Sequence, residues 1–136
     1  MGWCFARLIA PLARSRMFHA ALLFAFASQP GWAQAPPQIE TTMNNMLAAI
    51  QAGSLADFIA AGNASFQAGM TKAMLDTVNV EFAPRLKQGY TSTFLGIVKQ
   101  QGYTVYLWKL EFKDGKDDRV VTMAFKDGKV GGFFLR

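Results

Sequence analysis

Reactive side chains are scarce in these 136 residues: there is one cysteine, Cys4, and one histidine, His19. A lone cysteine excludes an intrachain disulfide framework, and a lone histidine excludes a Cys/His metal cluster. No stretch reaches the roughly 20 apolar residues that a membrane-spanning helix needs. The longest apolar run, Met17 to Ala27 (MFHAALLFAFA), is about half that length before Ser28 and Gln29 interrupt it. Long runs of like charge are absent too, with 17% charged residues against 51% hydrophobic. That balance excludes a disordered polyelectrolyte and supplies enough apolar side chains for one core.

What is present at the N-terminus is an export pattern. Arg7, Arg14 and Arg16 precede the apolar run, Pro30-Gly31 breaks it, and small residues lead into Pro36-Pro37. Basic, apolar and small-residue zones in that order make residues 1–33 an expected signal peptide. A cut after Ala33 is preferred, because a cut after Ala35 places Pro36 directly behind it. Translation from Met17 would discard all three arginines and weaken the signal, which favours Met1. The mature chain is then expected to be periplasmic or secreted, touching a membrane only through the signal during export.

Loss of residues 1–33 removes Cys4 and His19 together. The remainder has no thiol nucleophile, thiolate ligand or imidazole base. Three of the 14 basic residues go and none of the nine acidic ones, so 11 minus 9 leaves a net charge near +2. Such a balance argues against a nucleic-acid partner.

Residues 34–38 form a Pro-rich leader expected to be flexible. From Ile39 the apolar positions Met43, Met46, Leu47 and Ile50 share one helical stripe, closed by Gly53. Ser54 to Asp57 has the form of a capping box opening a short second helix with Leu55, Phe58 and Ile59, closed by Gly62. Asn63 to Gly69 reads as a connector with Phe66 tucked under it. Thr71 caps a third helix built on Met74, Leu75, Val78, Phe82 and Leu86, with a kink or break expected near Asn79 to Glu81 because Pro84 lacks a donor. Met43, Met46, Met70 and Met74 read as core filler.

From Tyr90 the period is two. Strands are expected over 90–99, 103–113, 119–126 and 129–135, joined at Gly102, Asp114-Gly115 and Asp127-Gly128, and Asp-Gly between apolar alternations is a hairpin signal. The fold class is therefore α+β, three N-terminal helices packed on a curved four-stranded antiparallel meander. Strand two places Tyr106, Trp108, Leu110 and Phe112 on one face and Val105 and Leu107 on the other. Strand one sets Phe94 and Val98 against Leu95 and Ile97. Apolar residues on both faces require a second cover, and a second copy pairing through the sheet face, as a homodimer, is the simplest.

The element order, with Gly89-Tyr90 through Gly102-Tyr103, Trp108, Phe112 and the run Met123 to Phe133 (MAFKDGKVGGF), resembles the nuclear transport factor 2-like superfamily. Its small exported bacterial domains of unknown function are the most similar members. The resemblance spans Ile39 to Leu135 and treats residues 39–136 as one domain. It implies a cone-shaped sheet wrapped by helices, a pocket at the open end and frequent dimers.

That superfamily includes ketosteroid isomerase and scytalone dehydratase beside many non-enzymes, so fold alone assigns no function. The dehydratase recipe needs a histidine, which the mature chain lacks. An isomerase or lyase here would need Asp76 or Glu81 as base converging with a tyrosine as oxyanion donor. Isolated helix carboxylates are usually solvated, so no catalytic residue is assigned. Asp57 reads as a cap, and Asp114, Asp117, Asp118 and Asp127 as turn and loop residues. The segment 114–118 lacks the alternating oxygens and distal glutamate of a calcium loop, so neither metal nor cofactor is expected. Tyr90, Tyr106 and Trp108 are the candidate ligand surface, since aromatic bodies with polar edges suit a small apolar or amphipathic molecule. The expectation is a non-catalytic exported domain for self-association or protein binding that holds such a ligand in the cone.

Overall fold

The computed structural model describes residues 33–136; most of the expected signal, with Cys4 and His19, lies outside the described residues. Four helices precede four strands: α1 (Pro37–Ala52), α2 (Leu55–Ile59), α3 (Ala64–Gly69), α4 (Lys72–Gln88), β1 (Tyr90–Gln100), β2 (Tyr103–Phe112), β3 (Arg119–Lys126) and β4 (Lys129–Leu135). The strands pair in chain order as an antiparallel meander, so the chain is an α+β fold with helices on one face of the sheet.

Helix α1 opens behind Pro36 with Pro37 in its first turn, where a missing N–H costs nothing. Its whole predicted stripe, Ile39, Met43, Met46, Leu47 and Ile50, is buried. It ends in a left-handed cap at Gly53, and Asn79 of α4 donates from Nδ2 to the Ile50 carbonyl at 2.6 Å. One helix thereby satisfies an orphan carbonyl at the end of another. Ser54 caps α2 through the Asp57 N–H, and Thr71 caps α4 through the Met74 N–H.

The helical half departs from expectation at three points. Asn63 to Gly69 is no simple connector: the Asn63 Oδ1 accepts from the Phe66 N–H at 2.8 Å and starts α3, making four helices rather than three. Helix α4 runs on as one helix past Pro84, without the break expected near Asn79 to Glu81. The Val80 carbonyl that Pro84 leaves without a donor lies on a face where both residues are exposed, so solvent serves it. Met74 is half exposed and fills no core, unlike Met43 and Met46.

Observed strand ends lie within one residue of those predicted. The Gln101-Gly102 and Asp127-Gly128 turns have positive φ at both central residues, the type I′ geometry that matches strand twist. The link from β2 to β3 is a longer loop. A bulge in β1 between Phe94 and Gly96 inserts Leu95, and the φ of +147° at Gly96 is open only to glycine. Past the bulge the faces exchange. Ile97 pairs with Tyr106 and joins Phe94 on the helix side, while Val98 pairs with Val105 on the outer side. The expected grouping of Phe94 with Val98 is thus corrected by one inserted residue. A second irregularity, between Ala124 and Phe125, shifts the register of the β3–β4 pair.

Trp108, Leu110, Val121, Met123 and Val130 meet the helices with no exposed surface. The opposite face carries Val98, Val105, Leu107, Ala124, Gly132 and Phe134 in adjacent cross-strand rows. Val98 and Phe134 are each half exposed, as are the bulged Leu95 and, on the helix side, Ile97. The β4 edge is closed at Val130, whose carbonyl accepts from the Asn63 N–H and whose N–H donates to the Ala61 carbonyl, both at 2.8 Å. Among the described residues β1 keeps an open edge.

Candidate functional site

The inner face of β1 and β2 carries a row of rings. Phe94 lies opposite Trp108 with ring centroids 5.6 Å apart, Tyr106 stacks on Trp108 at 6.1 Å, and Phe94 reaches Tyr106 at 6.4 Å. At the near end Tyr90 pairs with Phe112, their rings 6.4 Å apart. The structure therefore brings together the three predicted aromatic residues along one face. Trp108 has no exposed surface and serves as core, so it can shape a site without touching a ligand. Tyr90 and Tyr106 are half-buried at its margin.

The indole N–H of Trp108 needs a partner when buried. It donates to Glu40 Oε2 at 2.8 Å, a bond spanning 68 residues from the first turn of α1 to the middle of β2. Glu40 is half-buried and lines a cleft of about 490 Å³ with Ala33, Gln34, Ala35, Pro37, Ser92, Thr93 and Phe94. Among the described residues its second oxygen, Oε1, has no hydrogen-bond partner. Burial, and secondarily the negative charge of Glu40, push the Tyr90 phenol above its ordinary value. Tyr90 thus stays protonated and able to donate at neutral pH.

The residue types around this cleft suit an amphipathic molecule: an apolar wall of Ala35, Pro37 and Phe94, two hydroxyls from Ser92 and Thr93, and one carboxylate. Glu40 is the residue that inspection of the sequence passes over. Its position held a signal nonetheless, because it lies three and seven residues before the buried Met43 and Leu47, at the border of the apolar stripe.

The two carboxylates that an isomerase or lyase would need as base lie elsewhere. Asp76 is exposed and pairs with Lys72 one turn away. Glu81 is exposed too, with Arg119 Nη2 at 3.8 Å. The cleft that Glu81 lines contains Pro84, Arg85, Gln88, Asp114, Lys116 and Arg119, and no tyrosine. The convergence of either carboxylate with a tyrosine that an isomerase or lyase would require is not met among the described residues. Nor do any three His, Cys, Asp or Glu side chains there group as metal ligands.

No protein-family model matches this chain, and no curated protein matches it. Among solved structures it is similar to an uncharacterized cystatin-fold protein from Novosphingobium aromaticivorans, at 12% identity and a TM-score of 0.36, over 75% of this chain and 99% of the other.

Asp114, read from sequence as a turn residue, has a second role. Arg85 Nε donates to its Oδ2 at 2.6 Å, and both side chains are about nine-tenths buried. The Arg85 hydrogen bond first, then the Lys116 backbone N–H, hold the Asp114 carboxyl below its ordinary value of 3.8, outweighing the opposite push of burial. A folded-state value below the unfolded one contributes stability that is complete above the unfolded value and fades as pH falls through the folded value. Acid titration followed by circular dichroism should therefore show stability falling from about pH 5 downward. An Asp114→Asn variant should be weaker at neutral pH and flatter across that window; an unchanged acid limb in that variant would exclude the pair as its source.

Proposed function

We propose that the chain is a non-catalytic binding domain that holds a small amphipathic molecule in the cleft beside Glu40. One observation carries this: a half-buried carboxylate that lines the cleft beside Phe94 is held by a buried indole through one oxygen, and its other oxygen has no hydrogen-bond partner among the described residues. Such an arrangement favours an apolar or aromatic body carrying a cationic or hydrogen-bonding head, with Phe94 as ring partner. Kinship with the nuclear transport factor 2-like superfamily, and its cone, is part of the proposal and is supported by the order of helices and hairpins. Export is likewise proposed. Ala35 belongs to the buried core, which supports a cut after Ala33 in preference to one that would remove it.

Calorimetric titration with 2-phenylethylamine and with 3-phenylpropionate tests the ligand class. The amine should bind more tightly, and Glu40→Gln, which keeps an acceptor for Trp108, should weaken the amine about tenfold without moving the anion. Equal binding of the two compounds, or an unaffected variant, would refute the proposal.

A second function is supported by the outer sheet face, where Val98 and Phe134 stand half exposed in a continuous apolar stripe. Self-association of two copies through this face would cover it. Light scattering should give a dimer mass that Phe134→Asp shifts toward monomer, weakening association about tenfold or more. A monomer at every concentration would rule this function out.

A further inference from the structure

We propose that the cleft between α4 and the β2–β3 loop is a binding site for a small oxyanion, a carboxylate or a phosphate monoester, gripped by Arg85, Lys116 and Arg119. The cleft has a volume of about 560 Å³ and lies apart from the Glu40 site, sharing no lining residue with it.

Arg85 is already oriented. Its Nε and Nη2 donate to the two oxygens of Asp114 at 2.6 and 3.3 Å, and Nη2 donates also to the Asp117 carbonyl at 2.8 Å. Its guanidinium carbon stands 4.0 Å from the centroid of the Phe112 ring, so the plane is held from beneath as well as from the side. One nitrogen, Nη1, has no hydrogen-bond partner among the described residues. No buried side-chain nitrogen or oxygen there lacks a partner, so Nη1 keeps accessible surface on a residue that lines the cleft. A fixed guanidinium with donors to spare loses little entropy on taking an oxyanion.

The charges around it favour an anion. Asp114 is matched by Arg85, and both of its oxygens are engaged, Oδ1 accepting also from the Lys116 N–H at 3.0 Å. That leaves Lys116 and Arg119 facing Glu81 alone, a surplus of one positive charge. Arg119 stands 3.8 Å from Glu81, beyond hydrogen-bonding distance, and its one side-chain hydrogen bond among the described residues, to the Asp118 carbonyl, is long at 3.5 Å. Gln88 adds a neutral amide donor at the rim. A ligand of charge −1 or −2 would satisfy these donors together, whereas a cation would meet the one surplus positive charge.

The test uses the full-length chain labelled with ¹⁵N and titrated separately with sodium phosphate and sodium acetate, each against sodium chloride at equal ionic strength. Saturable shifts of the Arg85 Nε–H and of the amides of residues 114–119 are expected. They should need at least tenfold more ligand in Arg119→Glu, with Arg119→Gln intermediate should the charge reversal disturb folding. Saturation by phosphate alone identifies a phosphate monoester site, and saturation by acetate as well identifies a carboxylate site. Shifts that chloride reproduces, or affinity unchanged in both Arg119 variants, would overturn the proposal.

Discussion

Replacing Trp108 with alanine is expected to destabilise the fold by about 3–5 kcal/mol, the cost of emptying a buried ring site in a core that only partly collapses. Trp108 has no exposed surface and touches the rings of Phe94 and Tyr106. Against a total stability of about 5–15 kcal/mol that loss is large. Trp108→Phe separates the two contributions of the residue. It keeps most of the apolar volume but removes the N–H bonded to Glu40, for an expected loss of about 1–3 kcal/mol. Urea unfolding with unchanged slope would measure both. An alanine variant within about 1 kcal/mol of the parent would mean that this ring does not organise the core.

Phe58→Ala is expected to cost a similar 3–5 kcal/mol, with effects concentrated elsewhere. Phe58 is buried in α2, stands edge-on to Phe133 of β4 at 5.6 Å and lies tilted against Phe66 of α3 at 5.8 Å. These three rings join two helices, each too short to persist alone, to the last strand. Their loss should release α3 and the hydrogen bonds that tie Asn63 and Ala61 to Val130. Hydrogen exchange would show faster exchange at Asn63, Phe66 and Val130, with Leu110 and Val121 slowed as before. Uniform acceleration across the sheet would contradict this local role.

Much of this architecture is legible in the residues. The α1 stripe, the Ser54 and Thr71 caps and the type I′ turns depend on neighbours within a few positions, where periodicity and side-chain chemistry act directly. Features that depend on distant partners are less accessible. The Glu40 bond to Trp108 and the Arg85 pair with Asp114 cross 68 and 29 residues, and no local rule links them. Each still left a trace, a charged side chain at the border of a buried helical stripe, which implies a partner without naming it. The β1 bulge was signalled by Gly96 within an apolar strand, and one inserted residue was enough to exchange Ile97 and Val98 between faces. At the candidate site the aromatic row was visible, while the carboxylate facing the cleft needed the helix to be set against the sheet.

The closure of β4 by residues 61–63 has a consequence for the order of synthesis. Helices α2 and α3 are made in the first half of the described chain, but the side chains that bury Phe58 and the groups that bond Ala61 and Asn63 belong to the final strand. A nascent chain ending before Lys129 would leave that helical segment without a lid. Stable packing of that segment therefore waits until Lys129 to Leu135 have been added.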